Sequence, residues 1–449
     1  MESVVREVAL RPNVEGLARS LRGAPGLVVL RSDPRGAIRP GDAAASFLAC
    51  EPVESSDAWV PAERSEARGW SGRPAGPRWV GVVPYEATRA IERPAWTRNP
   101  DDRPAPAICR PTWFRYDAVL RVDHASGRVA IEADDDRAAR RLARRLAAET
   151  SREAEARAFD VRALPPLEPA DRHAERVREV LARIAAGDVY QVNLARAIDL
   201  ELRSGDPLDV FLALYRASPA PYGFFADLGS SCVCAASPEL ALEVRSDAIR
   251  TTPIKGTRPR GRDARADREL ARALDADPKE RAELTMATDL HRNDLGRVAV
   301  IGSVRVLGEP RVLGGRTVWS RASEVVARRN PGVTLDALAR AVLPCGSVTG
   351  APKVRAMEII AELEPLRRGA YTGAFGYLSR ENHLVLAMAI RTLEIADRRW
   401  GRYGTGGGIV AESDPAAEVE ETRWKAAQLG ALFSGPDGTA KLSAMSPIR

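Results

Sequence analysis

Thr252-Pro253-Ile254-Lys255-Gly256-Thr257-Arg258 places a lysine in a short segment bounded by proline and glycine, in a chain that otherwise avoids lysine. Of the 67 lysines and arginines among 449 residues, only Lys255, Lys279, Lys353, Lys425 and Lys441 are lysine. Arginine supplies charge equally well but stays protonated, so it cannot act as a nucleophile. A lysine whose pKa is lowered by burial can. Lys255 is therefore a candidate for covalent or proton-transfer chemistry, the alternative being an ordinary surface lysine in a Pro–Gly turn.

The totals are those of a soluble globular protein that can bury a full core, with 45% apolar and 29% charged residues. Its length allows two or three domains, or a single large one. The net charge of +6 comes from arginines interspersed with 61 acidic residues. No compact basic patch interleaved with aromatics stands out, which argues against a nucleic-acid partner. Cys50, Cys109, Cys232, Cys234 and Cys345 lack paired metal-ligand spacing and read as reduced thiols. Cys232 and Cys234 alternate within an apolar run, where core packing is their expected role. No signal peptide or membrane-length apolar run is visible, so a cytoplasmic protein without membrane contact is expected.

Along the chain, residues 26–30 and 79–83 read as buried strands, and 62–78 as an exposed loop. Residues 116–122 and 129–133 read as a hairpin around Ala125-Ser126-Gly127. An acidic start and the spacing of Leu142 and Leu146 predict a surface helix over 134–148. The prolines of 162–169 mark a linker, and Val177, Val180, Leu181 and Ile184 share one face of a helix over 173–186. A strand follows from 189. These breaks divide the chain into an N-terminal part at 1–165, a motif-dense region at 170–432 and a frayed tail at 433–449.

Four stretches carry polar chemistry that a core does not require. Ser237-Pro238-Glu239 puts a carboxylate at a strand end, suited to general acid or base work, with a cap or salt bridge as the alternative. Glu280 and Glu283 fall at helical i, i+3 spacing, which presents oxygens to a hard cation or simply forms a charged face. Pro344-Cys345-Gly346-Ser347-Val348-Thr349-Gly350-Ala351-Pro352-Lys353 exposes backbone N–H groups before a helix, an anion site that is neither a nucleotide P-loop nor a serine-hydrolase elbow. Thr405-Gly406-Gly407-Gly408 lets a ligand approach the backbone, and Glu418 and Glu421 beyond it share a helical face. With Glu283 they offer an all-oxygen set suited to Mg²⁺.

Seven ordered motifs carry a resemblance. They are Asp188-Val189-Tyr190-Gln191-Val192-Asn193-Leu194, Ser237-Pro238-Glu239, Pro253-Ile254-Lys255-Gly256-Thr257-Arg258, Asp289-Leu290-His291-Arg292-Asn293-Asp294-Leu295-Gly296-Arg297, residues 346–352, Arg368-Gly369-Ala370-Tyr371-Thr372-Gly373 and residues 406–410. The region 170–432 thereby resembles the chorismate-utilising enzymes: the large subunits of anthranilate, aminodeoxychorismate, isochorismate and salicylate synthases. The N-terminal third fits more loosely, through Ala45-Ser46-Phe47-Leu48 and Trp79-Val80-Gly81-Val82-Val83-Pro84-Tyr85. The resemblance implies a single large α+β domain, two packed antiparallel sheets wrapped by helices.

Within the family, water-adding members have a lysine base where Gln191 stands, and glutamine cannot deprotonate water. Anthranilate synthases typically have alanine where Lys255 stands. Lys255 beside Gln191 is thus most similar to the aminodeoxychorismate synthase component I branch, the large subunit of para-aminobenzoate synthase in folate biosynthesis. The resemblance then implies a transferase that aminates chorismate at C4. Lys255 is the nucleophile and Glu239 the general acid, with Mg²⁺ on Glu283, Glu418 and Glu421. Gln191, Thr257, Thr349, Gly350, Tyr371, Arg391, Gly406, Gly407, Gly408 and Lys425 hold the substrate, and ammonia comes from a glutamine amidotransferase subunit. An anthranilate or aminodeoxyisochorismate synthase that carries Lys255, and a catalytically lapsed binding subunit, are the other readings. Two departures matter: Ser320 stands where the family usually has a histidine, and Ala45 replaces the aromatic expected before Ser46. The second bears on a tryptophan pocket implied at Ser32, Pro221, Tyr222 and Gly223.

Overall fold

The computed structural model describes residues 4–63, 75–91, 103–150, 156–167 and 169–433. Among the described residues two antiparallel sheets, of twelve and nine strands, form the framework, and a separate three-stranded sheet stands beside them. The strands that matter for the site are β1 (Val28–Arg31), β2 (Pro77–Val83), β3 (Gln191–Ser204), β4 (Tyr222–Asp227), β5 (Ser231–Ser237), β6 (Leu240–Arg245), β7 (Ile254–Pro259), β8 (Val318–Ala322), β9 (Ala374–Ser379), β10 (Thr392–Ala396) and β11 (Trp400–Ile409). The helices that matter for it are α1 (Ala170–Ala185), α2 (Pro278–Gly296), α3 (Lys353–Leu363) and α4 (Pro415–Lys425).

The expected α+β architecture of packed antiparallel sheets is present, and the small sheet of β7, β8 and Arg311–Gly314 is an addition to it. Strands on either side of the proline-bearing stretch share both large sheets: β1 pairs with β4, and β2 with β9. The strand Asp160–Ala163, paired with β3, runs into the start of that stretch. The expected hairpin joins Ala118–Asp123 to Val129–Ala133, and the expected surface helix spans Asp136–Thr150. The loop expected at 62–78 gives way to β2 from Pro77, its residues 64–74 lie outside the described ones, and so do 434–449 of the tail.

Between the large sheets the core is alternate-residue packing: Val28 and Leu30 of β1, Val80 and Val82 of β2, Phe224 and Ala226 of β4, and Phe375 of β9 are buried together. Phe224 and Phe375 stack with centroids 4.6 Å apart. Burying each such ring is worth about 1.5–3 kcal/mol, which makes this stack a principal tie between the sheets. Cys232 and Cys234 are fully buried on one face of β5, as alternation requires. A second core seats α1 and α3 on the sheet, with Val177 and Val180 against Val192, Leu194 and Ile409. Among the described residues no helix is long and apolar enough to cross a membrane.

Candidate active site

The site is built around the glycines of β11. A Cβ added at Gly408 would lie 2.7 Å from Gln191 Nε2 and 3.2 Å from Lys255 Nζ, and one at Gly404 would strike the Tyr371 ring at 2.2 Å. One added at Gly407 would point the other way, 2.7 Å from Glu418 Oε2. Side chains from four other segments therefore press on this strand, and glycine alone leaves them room. Lys425 of α4 donates to the Gly406 carbonyl at 2.8 Å and pairs with Glu421 at 2.6 Å.

Lys255 reaches the glycine strand because β7 is bulged. Lys255 faces Arg321 and Thr257 faces Ser320, so Gly256 is the extra residue, at φ +75°. A side chain there would also strike Leu274 and Glu280. Arg258 anchors the bulge to the start of α2 through Asp277 and Glu280, at 2.8 and 2.9 Å. Lys255 is half-buried, and its side chain has no hydrogen bond or ion pair with any described residue. It lies within electrostatic range of Glu239, Glu283 and Glu421, whose carboxyl pKa values it pulls down. Thr257 is exposed on the same strand, and Ser320 is buried opposite it.

Glu239 sits in the break between β5 and β6, 3% exposed, and accepts from Ser347 Oγ at 2.9 Å. Burial pushes its pKa up to about 7, against the opposing pull of Ser347 and Lys255. Ser347 belongs to a turn that α2 and α3 hold in place. Lys353 pairs with Asp294 at 2.6 Å, and Asp294, raised by burial to about 6, accepts the Gly346 N–H. The Thr349 hydroxyl is spent on the Cys345 carbonyl, and Gly350 at φ +144° lets the turn run against Gln191. Gln191 is 1% exposed and its Oε1 has no partner, so an acceptor faces the site unmet.

Glu283 and Glu418 are both raised, by burial first and with Glu421 adding like-charge repulsion to each. Burial also raises Glu421, but Lys425 outweighs it and the net shift is downward. Glu418 Oε1 accepts from Ser413 at 2.7 Å, while its Oε2 is buried without a partner. An all-oxygen, mutually repelling set with an orphan oxygen fits a hard cation that keeps several waters. Among the described residues, no three such side chains converge on one point.

Tyr371 packs on Gly404 and its phenol is raised by burial. Arg391, at φ 51°, donates to Ser218 Oγ at 3.4 Å and is lowered by burial. The N-terminal residues assemble apart from this centre. The Ser32 N–H donates to Ser46 Oγ at 3.1 Å, which contacts His124 Nε2 at 2.9 Å, and Gly223 pairs with neighbouring Arg31. Pro221 is buried beside them, and the Tyr222 phenol is pushed well up by burial.

Sequence reasoning missed the supports. One is the buried pair Glu364–Arg368, in which Arg368 Nη2 donates to the Asn193 carbonyl at 2.6 Å and Glu364 accepts the Ala195 N–H at 2.8 Å. Those groups lie where the edge of β3 has no partner strand, so an ion pair replaces one. Its only sequence signal is the i, i+4 spacing.

The protein matches the family model for chorismate binding enzymes over residues 37–430. This chain belongs to the chorismate-binding enzyme family. Among curated relatives of this chorismate-binding enzyme, anthranilate synthase component 1 of Streptomyces coelicolor is 40% identical over 369 residues, 77% of this chain and 70% of that one. Aminodeoxychorismate synthase component 1 of Klebsiella aerogenes is 41% identical over 317 residues, 68% of this chain and 67% of that one. Anthranilate synthase component I of Streptococcus pneumoniae superposes with a TM-score of 0.72 at 29% identity, covering 86% and 91% of the two chains. The menaquinone-specific isochorismate synthase of Escherichia coli shares the fold, with a TM-score of 0.73 at 19% identity over 96% and 94%.

Proposed function

We propose that this chorismate-binding enzyme is the aminating component of an aminodeoxychorismate synthase. It would convert chorismate and ammonia to 4-amino-4-deoxychorismate through a covalent Lys255 adduct. The observation that carries the reading is the placement of an unpaired lysine over the glycine strand, within electrostatic range of a buried carboxyl poised near neutrality.

In this reading Nζ of Lys255 bonds through its lone pair to ring carbon C2 and the two ring double bonds shift. The C4–O bond breaks, and Glu239 gives its proton to the departing hydroxyl, which leaves as water. Ammonia then bonds to C4, the double bonds shift back, and the C2–Nζ bond breaks to restore the lysine. The proton shed by the added ammonia restores the Glu239 carboxyl, and any proton that Nζ gives up in the adduct is regained as the C2–Nζ bond breaks. Gln191 occupies the place where a water-activating base would divert the adduct to hydration. Glu283, Glu418 and Glu421 would hold Mg²⁺, which when bound supplies positive charge for the ring carboxylate.

Tyr371, Arg391, Lys425 and the β11 glycines bind the substrate carboxylates, with Thr257, Thr349 and Gly350 shaping the wall. The name component 1 borne by both curated relatives supports a partner that delivers ammonia, in our reading a glutamine amidotransferase. Folate supply and cytoplasmic residence belong to the same reading, as does a tryptophan pocket at Ser32, Pro221, Tyr222 and Gly223.

The Streptomyces coelicolor relative supports a second reading, amination leading to anthranilate. Incubation with chorismate, Mg²⁺ and ammonium salt, followed by intact-mass analysis, separates the two. The first reading expects a chorismate-derived adduct on the wild type, none on Lys255→Ala, and no fluorescent anthranilate. Anthranilate appearing without an added lyase would sink it.

A further inference from the structure

Arg196 stands opposite Thr405 in the ladder of β3 and β11, and the Thr405 hydroxyl donates to the Thr422 carbonyl of α4 at 2.9 Å. This register sends the Arg196 side chain off the sheet into the seam between α1 and α4, on the opposite face from Gln191 and Tyr371. The Arg196 guanidinium forms no ion pair or hydrogen bond with any described residue. The groups that face it share its sign: Arg423 of α4 and, from α1, Arg176. Its neighbour His173, also on α1, is 1% exposed, and neither ring nitrogen has a partner.

Burial, with Arg196 beside it, pushes His173 down to about 4, so its ring is neutral and has one N–H to give. Arg423 bonds Glu420 of its own helix through Nη1, while its Nη2 is buried and unmet. Among the described residues, the acids nearest the seam are Glu420, bonded by Arg423, Glu364, bonded by Arg368, and the exposed Glu179, which acts on Arg176 from the solvent side of α1. Burying donors without acceptors costs about 1–3 kcal/mol each, and more when they are charged. Several such donors converging on one seam describe a site for an acceptor-only, negatively charged ligand. Arg196 is itself only half-buried, which leaves its end of the seam open to a ligand from solvent.

We propose that the seam between α1 and α4 binds a small tetrahedral oxyanion of the phosphate class, held by the Arg196 guanidinium with Arg423 Nη2 and the His173 N–H as further donors. Guanidinium geometry suits such an ion, since two parallel N–H groups meet two of its oxygens. The ion would tie α4 to the sheet, and α4 carries Glu418, Glu421 and Lys425. Binding here does not depend on which reaction the enzyme performs.

Equilibrium dialysis with radiolabelled inorganic phosphate, in gluconate buffers of constant ionic strength, tests the site. The wild type should retain one phosphate per chain saturably, and Arg196→Gln should bind at least tenfold more weakly. In thermal unfolding, phosphate should raise the wild-type Tm by about 2 °C or more. Arg196→Gln has lost a half-buried charge crowded by Arg423 and Arg176, so in gluconate it should melt no lower than wild type, yet stay flat as phosphate is added. His173→Gln, which keeps an N–H donor, should retain binding. Absence of saturable binding to the wild type, or Arg196→Gln binding as tightly as wild type, overturns the proposal.

Discussion

The Ser347 hydroxyl donates to Glu239 Oε1 at 2.9 Å across 108 positions of sequence. Burial raises Glu239 to about 7, and this hydrogen bond is the largest influence holding it down. With Glu239 as general acid, wild-type kcat/KM should fall as pH rises through about 7. Ser347→Ala should move that limb to higher pH. A limb that stays in place would mean that Ser347 does not act through Glu239.

The same carboxyl makes stability depend on pH. Its folded pKa of about 7 lies above the ordinary 4.5, so the fold favours the protonated form. That contribution is full below about 4.5 and is lost as pH rises through about 7. The span is worth on the order of 3 kcal/mol. Glu239→Gln is neutral throughout, so it should match the wild type at low pH and melt higher at pH above about 8. Tm profiles of the two proteins running parallel across this range would refute the assignment.

Gly408→Ala tests the close approach of Lys255. The added methyl carbon would sit 2.7 Å from Gln191 Nε2 and 3.2 Å from Lys255 Nζ. Gly408 has no positive φ, so the backbone accepts alanine and the strain falls on those two side chains. Activity with saturating ammonia should drop by about tenfold or more, while stability falls by only about 1–3 kcal/mol. Equal activity would mean that the approach does not matter to turnover.

Much of this centre was legible in sequence because its chemistry needs unusual residues at fixed places. Lysine in an arginine-rich chain marked Lys255, and the glycine run marked β11. The supports were not legible, because they depend on contacts between distant segments. Nothing near Ser347 says that Glu239 will fold against it, and the pairing of Asp294 with Lys353 emerges only when α2 meets α3. Periodicity gave α1 and the hairpin correctly, because one face of each is buried. It gave no hint of the small sheet carrying Lys255, since a bulge at Gly256 breaks the alternation on which such readings rest.

Glu364 and Arg368 do two things at once, and a double-mutant cycle separates them. Removing either partner strands a buried charge and should cost about 3–5 kcal/mol. Were the pair merely an internal salt bridge, replacing both by Leu and Met would recover most of that loss. But Glu364 also accepts the Ala195 N–H and Arg368 donates to the carbonyls of Asn193 and Val348. The double variant leaves these backbone groups unmet and should remain well below wild type. Urea unfolding of the four proteins measures this, and a double variant as stable as wild type would show that the edge of β3 needs no cap.

Removing the cation should affect the carboxylate cluster in a direction its electrostatics sets. Glu283 and Glu418 are raised by burial and by Glu421, so without a cation the three acids repel and two resist ionising. Added Mg²⁺ should therefore raise the wild-type Tm, more at pH above about 7 than at pH about 5, because ligands must be deprotonated. Glu418→Gln takes one charge out of the cluster and leaves its buried side chain able to accept from Ser413. It should be at least as stable as wild type in EDTA, respond to Mg²⁺ several-fold more weakly, and lose most activity. A Mg²⁺ response equal to that of wild type would remove Glu418 from the metal site.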